Sequence, residues 1–224
     1  MHSQLRIIDM ERGSPTAPAY VLVLPGGKPR SQDPSRCWHL SNLRMIWLAR
    51  SLRSTLGPHG IAVQRLQYRV RGWNAPEASP LHDARIALER ARLRFGDVPV
   101  AVVGHSMGGR VAAHLADLDN VRAIAALAPW WPESDADLVP ADRSLMVAHG
   151  TADRWTDPVA SRIQTEQALA RGVNASWHPL SGAGHFMLTR PWWWHRITAD
   201  FVLDAFAAEG VVPAPTDRKA GRHA

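Results

Sequence analysis

One serine lies where a buried-looking apolar run ends and a helical pattern begins. The apolar run is Val98–Val103, and the letters GHSMGG at residues 104–109 follow it directly. A serine hydroxyl is a poor nucleophile unless a base takes its proton and an acid orients that base. The chemistry that this stretch offers is therefore nucleophilic attack by Ser106, provided that the fold supplies the two partners.

The glycines around Ser106 have a spacing that this chemistry requires. A serine presented on a strained turn needs neighbours without side chains two residues away, so that the strand and the helix can approach each other. Gly104 and Gly108 occupy those positions, and Gly109 adds room for helix–strand packing. The backbone N–H of Met107 would then point from a helix N-terminus towards a developing oxyanion.

The elements around this turn alternate between short apolar runs and longer helical patterns. The apolar runs predict strands over 19–27, 61–70, 98–105, 121–129, 143–150 and 174–180. The periodic segments predict helices over 41–56, 80–95, 107–118, 158–171 and 191–209. Ser41, Ser79 and Asp157 are the expected N-caps. A glycine follows each of the predicted helices except the short one after Ser106.

Alternation of strands and helices with near-continuous apolar strands indicates a parallel sheet covered on both faces. We expect the α/β class: a three-layer α/β/α sandwich with a mostly parallel, doubly wound sheet of about six to seven strands. Residues 5–11 could add an antiparallel edge strand. The expected organisation is an N-terminal edge segment at 1–18, one domain at 19–210 and a flexible basic tail at 211–224.

Three motifs occur in an order that resembles the α/β-hydrolase superfamily. They are GHSMGG at 104–109, HGTADRWTDP at 149–158 and SGAGH at 181–185, and the resemblance extends from about residue 19 to residue 210. In that superfamily the order is nucleophile, acid, histidine. The resemblance implies an α/β-hydrolase fold and a serine hydrolase with a Ser-His-Asp triad, EC class 3.1.1, that cleaves a carboxylic ester through an acyl-enzyme.

The histidine of the third motif is the expected base. His185 follows a short strand and lies in a glycine-rich loop, from which an imidazole can reach across the C-terminal edge of the sheet. Other histidines are less well placed. His178 lies within a strand, His195 lies within a helix, His105 directs its side chain away from the serine, and His149 organises a turn.

Two aspartates of the second motif compete for the role of the acid. Asp153 follows a strand at the C-terminal edge of the sheet and matches the position of the acid in the family. Asp157 precedes a proline and a helix, so helix capping accounts for it. Asp135 and Asp137 are weaker alternatives, because the preceding strand supplies the acid in some relatives.

The resemblance also implies a second oxyanion donor in the loop after the first long strand. In relatives, a backbone N–H just after that strand serves beside the Met107 N–H. Here the loop reads LPGGKPRS, so Gly27 or Lys28 would donate, and a simple glycine turn is the alternative. The loop lacks the spacing of a phosphate-binding P-loop.

Tryptophans follow several predicted strands at the edge where α/β proteins bind ligands. Trp73, Trp130, Trp131 and Trp155 could form an aromatic substrate pocket, and ordinary packing is the alternative. The run Trp192–Trp194 poses a separate question. Three consecutive residues span about 200° of a helix, so at least one of these rings should lie at the surface, line the cleft or contact a partner.

The segment between Pro129 and the next strand has about a dozen residues, too few for a helical lid of several elements. We therefore expect an open site suited to a small or accessible acyl substrate. A thioesterase, an amidase or a peptidase would use the same residues, and a non-catalytic binding protein could share the fold.

Composition bears on the remaining classes of function. The net charge is +6, but the arginines are scattered and mixed with acids, so we predict no nucleic-acid binding. No paired cysteines, zinc motif or dinucleotide motif is present, so we predict no metal and no cofactor. The single cysteine, Cys37, and the absence of an apolar leader or membrane-length run favour a cytoplasmic protein without a membrane span.

Overall fold

A seven-stranded sheet forms the centre of the protein. The computed structural model describes residues 6–8 and 16–214. The strands are β1 (Arg6–Ile8), β2 (Tyr20–Leu24), β3 (Ala62–Gln67), β4 (Val100–His105), β5 (Val121–Leu127), β6 (Ser144–Gly150) and β7 (Asn174–Leu180). Their order across the sheet is β1-β3-β2-β4-β5-β6-β7. Strands β2 to β7 run parallel, and β1 pairs antiparallel with β3, which confirms the predicted edge strand.

The described residues form five α-helices, of which four connect strands and the fifth follows β7. They are α1 (Leu40–Leu56), α2 (Ser79–Phe95), α3 (Met107–Ala113), α4 (Pro158–Ala170) and α5 (Pro191–Ala208). Short 3-10 helices occupy Gly57–His59 and Asp135–Leu138. The second is the only helical turn between β5 and β6, so this connection carries no larger helical lid, as its length predicted.

The helices cover both faces of the sheet and enclose two apolar cores. Side chains alternate along β2: Leu22 and Leu24 face the core beneath α2, α3 and α4, whereas Val21 and Val23 face the core beneath α1 and α5. The prediction of a three-layer α/β/α sandwich with a mostly parallel sheet is therefore confirmed. Among the described residues, no helix is both long and apolar enough to cross a bilayer.

Two of the three predicted helix caps are wrong. Helix α1 begins one residue before Ser41, with His39 at the cap position. Helix α2 includes Ser79, because the chain enters the helix from a left-handed turn at Ala78 with φ of 47°. Asp157 does cap α4, since its carboxylate accepts the N–H groups of the first turn.

Two predicted boundaries also shift. Helix α3 ends at Ala113 rather than near 118, because the chain continues in tighter turns such as Leu115 N–H to Ala112 carbonyl. At the other end of the chain, Val212 is buried in the α1–α5 core, so residues 211–212 are packed rather than part of a tail. Residues 215–224 of the predicted tail, and 1–5 and 9–15 of the edge segment, lie outside the described residues.

Candidate active site

Ser106 lies on a sharp turn between β4 and α3. Its φ is 56°, a left-handed conformation that residues other than glycine rarely adopt. A methyl group on Gly104 would lie 2.1 Å from the carbonyl oxygen of Gly108, and one on Gly108 would lie 2.6 Å from that of Leu24. The two glycines are therefore required for strand and helix to meet, as their spacing predicted.

A chain of hydrogen bonds joins the three residues predicted as nucleophile, base and acid. Nε2 of His185 lies 3.0 Å from Oγ of Ser106, and Nδ1 of His185 lies 2.8 Å from Oδ2 of Asp153. All three side chains are nearly buried. They follow β4, β6 and β7, and parallel strands end at one edge of a sheet, so residues 79 positions apart in the chain meet there.

The Asp153 carboxylate accepts hydrogen bonds from several groups besides His185. Oδ1 accepts the backbone N–H groups of Trp155 and Thr156, at 2.8 and 3.0 Å. Oδ2 lies 2.9 Å from Oγ1 of Thr156. Burial by itself would raise the pKa of Asp153, but the hydrogen bonds from His149, His185 and these backbone groups outweigh it and hold the pKa well below its usual range. The group is a carboxylate at neutral pH.

His149 is a second imidazole on the same carboxylate. It is fully buried, with Nε2 3.0 Å from Oδ2 of Asp153 and Nδ1 2.7 Å from Oγ of Ser161. The expected role of His149 was to organise a turn. The sequence did not predict its contact with Asp153 or the contribution of Thr156. Their positions, four residues before and three residues after Asp153, are the sequence feature that could have indicated both contacts.

His105 supports the other side of the base. Its Nε2–H donates to the backbone carbonyl of His185 at 2.8 Å, and the two rings lie 4.9 Å apart. Nδ1 of His105 is buried and has no hydrogen-bond partner among the described residues. Burial, together with the nearby His185 ring, lowers the pKa of His105 to about 3, so this imidazole is neutral at physiological pH.

The backbone beside Ser106 offers two N–H groups. Met107 is the first residue of α3, and the first N–H groups of a helix have no intrahelical acceptor. The Gly27 N–H likewise has no acceptor among the described residues. The N–H of Lys28 is already bonded to the Arg71 carbonyl at 2.8 Å, so it is not free for an oxyanion. Of the two alternatives for the second donor, the geometry favours Gly27.

Trp155 is the tryptophan nearest to the base. Its ring is almost parallel to that of His185, with 6.2 Å between the centroids, and is 74% exposed. The ring of Phe186 lies 5.3 Å from it. Trp130 is half-buried, and its backbone N–H donates to the Ser106 carbonyl. Trp155 and Phe186 thus form an exposed aromatic surface beside the base.

Trp73 and Trp131 do not fit the predicted aromatic pocket in the same way. Both are buried, and the Trp131 indole donates to the Gly109 carbonyl. Trp73 packs against the guanidinium of Arg110, at 4.5 Å from its ring centre, and Trp130 contacts the same guanidinium at 5.1 Å. These contacts account for Trp73 and Trp131 as packing residues, so neither is retained as a substrate-binding residue.

The alternative acids are engaged elsewhere. Asp135 is buried and accepts a hydrogen bond from Nε of Arg110 at 2.8 Å, and Asp137 pairs with Arg171. Of the three consecutive tryptophans, Trp192 is exposed, Trp193 is half-buried and Trp194 is fully buried, as the helical geometry required. Within the described part of the chain, no group of three His, Cys, Asp or Glu side chains is arranged to hold a metal ion.

Solved structures with the same fold include several hydrolases. An alpha/beta hydrolase candidate of unknown function from Agrobacterium tumefaciens is 19% identical with a TM-score of 0.70, and the match covers 94% of each chain. Est1E from Butyrivibrio proteoclasticus with ferulic acid bound is 14% identical with a TM-score of 0.65, covering 91% of this chain and 95% of that one. Esterase 2 from Thermogutta terrifontis with butyrate bound is 18% identical with a TM-score of 0.61, covering 89% and 88%.

These identities are low, so the structural matches show the fold alone. No curated protein matches the chain in sequence. Residues 71–205, more than half of the chain, match the alpha/beta hydrolase fold family, and this segment contains the Ser106 turn, the Asp153 turn and the His185 loop. The chain therefore belongs to the alpha/beta hydrolase family.

Proposed function

We propose that the protein is a serine hydrolase that cleaves carboxylic esters through an acyl-enzyme. The observation that carries this proposal is the continuous hydrogen-bond chain from Ser106 through His185 to Asp153. The positive φ of Ser106 supports it, because such backbone strain lowers stability and is found mainly at functional sites.

In the proposed reaction His185 first acts as the base. Nε2 takes the Ser106 proton as Oγ attacks the substrate carbonyl, and the N–H groups of Met107 and Gly27 stabilise the resulting oxyanion. The tetrahedral intermediate then collapses, the imidazolium gives its proton to the departing alkoxide, and an alcohol leaves. Water repeats the sequence on the acyl-enzyme: it adds to the carbonyl, its proton passes through His185, and Ser106 is released with a carboxylic acid.

Asp153 orients the imidazole and stabilises its charged form. Its low pKa keeps the carboxylate ionised when His185 is protonated, so the negative charge is available at the step that needs it. The Nδ1 contact also fixes the tautomer that leaves Nε2 free to accept the serine proton.

Esters are the first substrate class to test. The connection between β5 and β6 carries only one 3-10 turn, which favours an open mouth, and Trp155 and Phe186 offer an aromatic surface beside it. One structural neighbour is named as an esterase and has butyrate bound, and another, Est1E, has ferulic acid bound. We propose small or aromatic carboxylic esters on this basis.

A fluorophosphonate probe tests the nucleophile directly. We expect the wild-type protein to be labelled and to hydrolyse p-nitrophenyl esters, and Ser106→Ala to lose both, with turnover falling by at least about a thousandfold. Ser181→Ala is the matched control, because Ser181 is exposed in the loop that leads to His185. Equal labelling of wild type and Ser106→Ala would overturn the proposal.

A substrate panel separates esters from the other acyl bonds that the same residues could cleave. It compares p-nitrophenyl esters, acyl-CoA thioesters and aminoacyl anilides at equal acyl length. We expect the highest kcat/KM on the oxygen esters. If Ser106 is labelled but kcat/KM is higher on thioesters or anilides, Ser106 remains the proposed nucleophile and the proposed substrate class changes.

A further inference from the structure

The net charge of the protein is concentrated in two segments. Residues 27–56 and 181–200 hold eight of the 26 Lys and Arg residues and two of the 20 Asp and Glu residues. The rest of the chain has 18 basic and 18 acidic residues. The basic residues of the two segments are Lys28, Arg30, Arg36, Arg44, Arg50, Arg53, Arg190 and Arg196.

The same two segments expose large apolar side chains. On α1, Leu40, Leu43 and Trp47 are exposed, and they recur at helical spacing along one stripe. Leu188 and Trp192 are exposed on the other segment, and Trp38 lies just before α1. Tryptophan is rarely left in water, and grouped exposed apolar side chains mark interaction surfaces.

The two segments form one surface, which we call the α1–α5 face. Helices α1 and α5 pack side by side over the same face of the sheet. The guanidinium of Arg44 on α1 lies 4.5 Å from the ring centre of Phe186. A shallow surface groove between the helices is lined by Ser51 from α1 and by Trp192, Arg196 and Asp200 from α5. Arg196 pairs with Asp200 at 3.6 Å. The face therefore reaches from the exposed side of both helices to the residue next to His185.

We propose that the α1–α5 face docks on an anionic lipid surface. Tryptophan and leucine side chains insert at the boundary between headgroups and acyl chains, and arginine pairs with the phosphates. The face combines both chemistries, with exposed apolar side chains from α1 and α5 among eight basic residues and two acids, Asp33 and Asp200. Charge complementarity thus selects an anionic bilayer.

A second copy of this chain is a poor occupant of the same face. Two copies meeting there would bring a positively charged surface against itself, and like charges across a closed interface repel each other. The headgroups of an anionic bilayer instead carry many negative charges, and its acyl chains can surround apolar side chains that do not contact one another. Docking there would hold Phe186 and Trp155 close to the headgroups. The docking proposal does not depend on the proposed hydrolysis.

Vesicle co-sedimentation of the full chain tests the proposal. We expect wild type to bind vesicles of phosphatidylcholine with about 30% phosphatidylglycerol at least about tenfold more tightly than vesicles of phosphatidylcholine alone. High salt should weaken the binding, because the attraction between basic residues and anionic headgroups is screened.

Two pairs of matched variants locate the surface. Arg50→Glu and Leu40→Ser alter the α1–α5 face, and Arg90→Glu and Leu93→Ser make the same changes at exposed positions of α2, on the other side of the sheet. We expect each α1 variant to weaken binding to the anionic vesicles by at least about fivefold and each α2 variant to leave it unchanged.

Three results would overturn the proposal. The first is equal binding to both vesicle types, the second is an equal loss from the α1 and α2 variants, and the third is a dimer in light scattering that Leu40→Ser dissociates while vesicles bind no protein. The last would assign the face to a second copy. All four positions are exposed, so we expect each variant to fold. Thermal melts of the four variants check this.

Discussion

Nε2 of His149 lies 3.0 Å from Oδ2 of Asp153, the same oxygen that Nδ1 of His185 contacts at 2.8 Å. Two imidazoles therefore share one carboxylate oxygen, one buried behind it and one between it and the serine. An ionised carboxylate can only accept hydrogen bonds, so this contact favours the tautomer of His149 that carries its proton on Nε2. His149 is thus placed to donate to the proposed triad acid and to hold it in position.

Replacing His149 should impair turnover more than folding. His149→Leu removes a donor to a buried carboxylate, and a hydrogen bond to a charged group contributes about 1.5–3 kcal/mol, so we expect kcat to fall about tenfold to a hundredfold with little change in KM. Loss of the donor should also raise the pKa of Asp153 from its position well below the usual range.

His178→Leu is the control for that variant, because His178 lies on the adjacent strand β7 and, among the described residues, its ring hydrogen-bonds to Ser176 rather than to Asp153. Steady-state kinetics from pH 4 to 9 make the measurement. A His149→Leu protein with lower thermal stability but wild-type kcat would limit His149 to a structural role.

Gly27 should not tolerate a side chain. A methyl group there would lie 2.3 Å from Cε of Met107 and 2.4 Å from the Arg71 carbonyl oxygen. The methionine can move, but the carbonyl is backbone, so the loop must shift and misplace the proposed oxyanion donor. We expect Gly27→Ala to lower kcat by about a hundredfold or more, the effect of losing one such donor.

Gly57→Ala provides the comparison, since a methyl group at Gly57 meets nothing within 4 Å. That variant should retain wild-type kinetics. If Gly27→Ala kept its kcat on p-nitrophenyl acetate, the second donor would have to be sought elsewhere in the loop.

Trp155 should affect the choice of substrate rather than the chemistry. Its backbone N–H, which bonds to Asp153, survives mutation, whereas its exposed ring beside His185 does not. We expect Trp155→Ala to raise KM for an aromatic acyl ester about fivefold to tenfold, the scale of one aromatic contact, and to leave the acetate ester nearly unchanged.

Trp192→Ala removes an equally large exposed ring from α5. It should change neither the KM for the aromatic ester nor the KM for the acetate ester in solution. Comparison of p-nitrophenyl benzoate with p-nitrophenyl acetate is the measurement. Equal losses of kcat on both esters would mean that the Trp155 ring acts by holding His185.

His105 should make the fold sensitive to moderate acid. Its folded pKa is about 3, below the value of about 6.5 for an unfolded histidine. The unfolded state therefore binds the proton more readily, and this contribution is fully present above about pH 6.5 and declines as the pH falls towards 3. The slope is about 1.4 kcal/mol per pH unit within that window.

Urea unfolding at pH 7.5 and pH 5 measures this effect. We expect His105→Asn to lose less stability than wild type between the two pH values, although it is less stable at pH 7.5. His82→Asn, at an exposed position of α2, should follow wild type. A pH dependence of His105→Asn as steep as that of wild type would contradict the prediction.

Local patterns were sufficient to predict most of the fold. Continuous apolar runs and helical periodicity predicted β2 to β7 and all five helices, because burial on both faces of a parallel sheet leaves few alternatives for those runs. Helix ends were less predictable. Ser41 and Ser79 have the residue type of a cap, but the conformation of the preceding chain decided where each helix begins.

Some features of the candidate site could likewise be predicted from the sequence, and others could not. The glycines around Ser106 and the loops that carry Asp153 and His185 were readable because they depend on short sequence motifs and strand ends. The burial of Trp73 and Trp131, and the engagement of the Lys28 N–H, depend on contacts with Arg110, Gly109 and Arg71 that no local pattern contains.

The sequence by itself therefore determined which residues stand at the ends of the strands. Tertiary structure alone decided which of them touch. His149 joins the acid because β6 buries it at the end of a strand, and Arg44 meets Phe186 because α1 and α5 cover the same face of the sheet. Contacts between distant residues follow from the register of the sheet and the packing of helices on it, and both are set by the whole chain at once.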